Sequence, residues 1–71
     1  MHTLITDAAG LEACLADVAR HPVVGLDTET TGLDPFTSRL RLVQLATPER
    51  VWVVDCFAFE ALGDPGLRAL V

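Results

Sequence analysis

The sequence contains no lysine: its basic residues are five arginines, set against ten acidic residues, for a formal net charge of −5. A chain of that balance does not hold nucleic acid by a broad positive field, so any handling of nucleic acid has to go through metal ions that offset the acids. Long apolar runs are also missing. None approaches the roughly 20 residues that cross a bilayer, and Met1 is followed by His2-Thr3 rather than by a basic segment and an apolar signal core. A soluble cytoplasmic protein with no membrane partner is the expectation. Cysteine is scarce, and Cys14 and Cys56 show neither Cys-x-x-Cys spacing nor a nearby His pair, which reads as two buried thiols rather than a disulfide or a metal clip. Low-complexity tracts and internal repeats are absent as well.

What remains has the composition of a packed protein, 51% hydrophobic and 21% charged. At 71 residues it is one small domain or part of a larger one. A chain this short buries only about 60% of the surface its unfolded form exposes.

Leu11, Cys14, Leu15 and Val18 follow the i, i+3, i+4, i+7 spacing of one helix face, with Thr6 or Asp7 as N-cap, which predicts a helix over 7–20. Arg20 and His21 suit its negative end, and Pro22 takes the chain out of it. Val23 to Glu29 reads as a strand, apolar at its start and acidic at its end, running into a turn over Thr30-Thr31-Gly32-Leu33-Asp34-Pro35. Leu40 to Thr47 is a second strand. Pro48-Glu49-Arg50 is a short turn into a third, Val51 to Asp55, and so short a connection favours an antiparallel hairpin. Asp64-Pro65 starts another helix, with Leu67, Leu70 and Val71 opening its apolar face. A helix that stops as its buried face appears implies a partial domain over 1–71.

Asp27 and Glu29 occupy positions i and i+2 of the first predicted strand, so they project from one face while Thr28 points the other way. Gly25 shares the acids' face, and Val24 and Leu26 are expected to pack against the core. Mg²⁺ and Mn²⁺ favour such sites, taking one or two protein carboxylates together with water and substrate phosphate. Alone, an Asp-x-Glu at a strand end is more often a solvated edge.

The longer string Val24-Gly25-Leu26-Asp27-Thr28-Glu29-Thr30-Thr31-Gly32-Leu33-Asp34-Pro35 resembles the first motif of the DEDD family of 3′–5′ exonucleases. Leu40 to Ala46 and Val51 to Asp55 resemble the family's next two strands, so the likeness spans nearly the whole chain. Its nearest form is the proofreading-type domain of family A DNA polymerases, ahead of ribonuclease D. The resemblance implies an α/β fold of the RNase H-like class, represented here by a helix, a three-stranded antiparallel meander and the start of another helix. It implies a metal-dependent exonuclease releasing nucleotides from a 3′ end, of DNA ahead of RNA, with a polymerase domain as a possible neighbour. Asp27 would bridge two Mg²⁺ or Mn²⁺ ions, and Glu29 would hold the one that activates water. Thr30 and Leu33 would approach the terminal nucleotides, although both also suit turn residues.

The family's remaining motifs, an Asp on a helix and an Asp with a Tyr or His, have no counterpart after Asp64. The chain is therefore expected to be inactive alone and to need the remainder of an exonuclease domain. An interaction module with idle acids, or a fragment pairing its open strand with another chain, are the rival readings. Asp34 and Asp55 read as structural, Arg39 and Arg41 as solvent-facing, Trp52 and Phe57 as core, and His2 and His21 as solvated.

Overall fold

The computed structural model describes residues 2–32 and 38–71. Its elements run β1 (His2–Ile5), α1 (Ala8–Val18), β2 (Gly25–Thr30), β3 (Leu40–Ala46), β4 (Val51–Asp55), a 3₁₀ turn (Ala61–Gly63) and α2 (Pro65–Leu70). They build one mixed sheet in the order β1-β4-β3-β2. The expected meander is present, with β2 antiparallel to β3 and β3 antiparallel to β4. The sequence reading missed β1, which pairs parallel with β4 from His2 opposite Val51 to Ile5 opposite Val54.

Local chemistry sets the helix ends. Asp7 caps α1 by accepting the Gly10 N–H at 2.8 Å. Asp64 caps α2 by accepting from Gly66 and Leu67 at 2.8 and 3.2 Å, with Pro65 in the first turn where a missing N–H costs nothing.

One face of the sheet is covered. Leu11, Cys14 and Val18 of α1 and Leu67 of α2 close over Ile5, Val43, Leu45, Trp52 and Val54, with Ala61 sealing the margin. Asp17 ties α1 to the sheet: its Oδ2 accepts the Trp52 indole N–H at 2.8 Å. His21 is not solvated as expected. It lies half-buried, its Nε2 3.7 Å from Asp17 Oδ1.

Two apolar residues depart from the sequence reading for one physical reason, their position at the sheet's margin. Leu26 faces the core side opposite Leu45, yet it is 48% exposed, because β2 is the outermost strand and none of its residues is buried. Phe57 is 50% exposed on the turn after β4.

Both thiols are free; Cys14 is buried and Cys56 half-buried. Burial, and then the neighbouring Asp17 carboxylate, push the Cys14 thiol up from 9.0 to about 11. Burial, then Asp55, raise Cys56 as well. A folded-state pKa raised above the unfolded value gives stability that is complete below pH 9.0 and lost as pH climbs through about 11. Lysine and tyrosine, which would titrate in that window, do not occur in the sequence. The urea midpoint should therefore fall across this range, and Cys14→Ala should remove most of the fall; a slope unchanged in the variant would refute the assignment.

Candidate active site

The uncovered face of the sheet carries the acids. Asp27 stands opposite Gln44 and Glu29 opposite Leu42, so both side chains leave β2 on the side away from Val43 and Leu45. Both are exposed. Asp27 Oδ1 accepts the N–H of Thr28 at 2.9 Å, which fixes one carboxylate oxygen against the strand.

The ladder between β2 and β3 slips immediately after Glu29. Glu29 pairs with Leu42 but Thr30 pairs with Leu40, leaving Arg41 as the extra residue of a bulge. In a regular ladder Arg41 would oppose Thr30 and point toward the core face. A bulge re-aims the side chain it carries, and here Arg41 Nη1 donates to Glu29 Oε1 at 2.9 Å. Arg41 is exposed, as expected, and in addition it pairs with one of the two acids. Composition gave no hint of this, because the slip depends on the pairing of two strands.

Thr30 Oγ1 donates to the Gly32 carbonyl at 2.9 Å, closing its own turn. Leu33, expected near the substrate, and Asp34 lie outside the described residues. Asp55 Oδ1 accepts from the N–H groups of Phe57 and Ala58 at 2.9 and 3.2 Å, so it shapes the turn after β4. Among the described residues no three of His, Cys, Asp and Glu group closely enough to hold a metal ion. The acids fit a divalent cation as a pair: two exposed oxygen donors on one strand face meet the protein's share of a Mg²⁺ site that keeps most of its waters. A cavity of about 390 Å³ between α1 and the β3–β4 turn, lined by Asp17, Arg20, Glu49, Arg50 and Trp52 among others, contains neither acid.

A divalent cation at Glu29 would have to displace Arg41 from the same carboxylate. Exposed ion pairs are worth roughly 0.2–1 kcal/mol, so Arg41→Ala should tighten Mn²⁺ binding to the chain by up to about five-fold. Calorimetry checks this, and weaker binding by the variant would mean that Arg41 holds Glu29 in place for the metal instead.

The sequence model of the 3′–5′ exonuclease domain matches residues 2–71. The chain belongs to the 3′–5′ exonuclease family. Solved structures agree in fold. RNase D of Escherichia coli, an exoribonuclease involved in structured RNA processing, matches over 99% of this chain with 24% identity and a TM-score of 0.79. The catalytic core of RRP6 from Trypanosoma brucei matches over 82% with 22% identity and a TM-score of 0.73. The Nibbler exonuclease domain of Aedes aegypti matches over 80% with 24% identity and a TM-score of 0.71. This chain spans 18%, 16% and 26% of those three chains respectively. It matches no curated protein. The fold is accordingly the RNase H-like one of DEDD exonucleases, a family that normally uses divalent metal ions.

Proposed function

We propose that this chain supplies the first carboxylate pair of a two-metal 3′–5′ exonuclease centre acting on the 3′ end of DNA. The observation that carries the reading is the placement of Asp27 and Glu29 side by side on the uncovered face of β2, within a chain matched by the exonuclease family over residues 2–71. Asp27 would bridge two Mg²⁺ or Mn²⁺ ions and Glu29 would hold one of them, exchanging Arg41 for the cation. The metals, when bound, stabilise the attacking and leaving oxygens of an in-line displacement at phosphorus. The two acids hold that charge on the strand face, and the bulge at Arg41 keeps a counter-charge beside them. Thr30, at the end of the same strand, would meet the terminal nucleotide once its hydroxyl leaves the Gly32 carbonyl. The remaining carboxylates would come from the rest of an exonuclease domain, with a polymerase domain as a possible neighbour.

RNA is the second reading of the substrate. It is favoured by the likeness in fold to RNase D over 99% of the chain.

A chimera in which residues 2–71 replace the matching segment of E. coli RNase D tests the function. Single nucleotides released in Mn²⁺ from the 3′ end of a labelled DNA strand, and faster than from RNA, are the expected result. Preference for RNA would select the second reading, and a folded chimera inactive on both would overturn the proposal. The unfused chain should release nothing under the same conditions.

A further inference from the structure

A second feature sits at the same end of the sheet as the acids and has no part in the core. Arg39 lies over the ring of Phe57, its guanidinium carbon 4.9 Å from the ring centroid. Single exposed apolar residues are ordinary, so the 50% exposure of Phe57 says little by itself. Its surroundings say more. The Asp55 carboxylate fixes the turn that presents the ring, through the N–H groups of Phe57 and Ala58. Arg39 is fixed from the other side: its N–H donates to Thr31 Oγ1 and its carbonyl accepts the Thr31 N–H, both at 2.9 Å. Thr31 directly follows the strand that carries Asp27 and Glu29. The backbone of Arg39 is therefore tied to the end of the acidic strand, and that of Phe57 to the turn after β4. Beside them a cavity of about 310 Å³ is lined by Arg39, Leu40, Phe57, Phe59 and Leu62 among others, at the small end of the range for ligand pockets.

A flat ring, a stacked guanidinium and an adjoining recess are what single-stranded nucleic acid uses: bases stack on aromatic and Arg planes while the cation meets the backbone. In so acidic a chain, cations count by position. Arg41 is engaged by Glu29, which leaves Arg39 as the other cation at the start of β3. Glu29 lies level with Leu42 and Asp55 across the sheet, so Arg39 and Phe57 lie just beyond the end of the sheet at which Glu29 stands.

We propose that Arg39 and Phe57 form a stacking platform for one unpaired base of the strand whose 3′ end the acids address. The platform grips the strand by a base face, which DNA and RNA share. It rests on the exonuclease reading and extends it from the reacting end to the grip on the strand behind it.

The test is an NMR titration of the chain with the trinucleotide dT3 in Mg²⁺, following the Phe57 ring protons. They should move upfield on binding, and Phe57→Ala should weaken binding about five-fold or more, given typical base–aromatic stacking. Phe57→Trp should restore it, and Arg39→Ala should also weaken it. Circular dichroism confirms the fold of each variant, which an exposed position does not threaten. Asp27→Ala separates the two ideas. If it abolishes binding while Phe57→Ala does not, the platform is overturned and the exonuclease reading stands. If Phe57→Ala abolishes binding while Asp27→Ala has no effect, the platform stands and the metal-site reading fails. A wild-type chain whose Phe57 resonances never move overturns the platform.

Discussion

Asp27→Ala in the RNase D chimera should lower the rate of 3′ nucleotide release by roughly three orders of magnitude, since metal ions contribute several kcal/mol of charge stabilisation and each 1.36 kcal/mol is a factor of ten. Asp27 is the acid whose loss should matter most, because in the proposed role it touches both ions, whereas Glu29 touches one and already shares its charge with Arg41. Asp27→Asn should be nearly as damaging: it keeps the size and the acceptor oxygen for Thr28 but removes the negative charge. Neither change should unfold the protein, because Asp27 is exposed on an edge strand and supports no buried contact. Single-turnover release measured alongside circular dichroism separates a catalytic loss from a structural one. A folded Asp27→Ala chimera that keeps its rate would sink the assignment.

Leu45→Ala should remove most of the chain's stability and lower its urea midpoint steeply. Leu45 is 1% exposed at the centre of the only buried cluster among the described residues. Removing such a side chain costs about 2–5 kcal/mol, and a single core in a domain of this size supplies about 3–5 kcal/mol. Leu26→Ala is the matched comparison. Leu26 pairs with Leu45 across the same ladder, yet at 48% exposed it should change the urea midpoint little. Equal losses from both substitutions would contradict the placement of the core over β1, β3 and β4.

That contrast shows where sequence reasoning stops. Both leucines sit in apolar strand patterns, and alternation marks a strand face without saying whether a helix covers it. Coverage is decided by strand order, and strand order turned on β1. Four residues, His2 to Ile5, are too short to announce themselves by periodicity, and their partner in β4 lies most of the chain away. Features written in local chemistry were legible: the Asp7 and Asp64 caps, the break at Pro22, the β3–β4 hairpin, and the shared face of Asp27 and Glu29. The pairing of Arg41 with Glu29 was not, because it arises from a one-residue slip that alternation alone cannot locate. Phe57 was assigned to the core on hydrophobicity, while Asp55, two residues earlier, holds its turn outward.

The central claim is that Asp27 and Glu29 form half of a divalent metal site on the open face of this sheet. Calorimetric titration of the wild-type chain with Mn²⁺, beside folded Asp27→Ala and Glu29→Ala variants, tests it most directly. Weak binding by the wild type that disappears in both variants is the result this account predicts. A folded wild-type chain that binds no Mn²⁺, or binding that survives the loss of either acid, would contradict it.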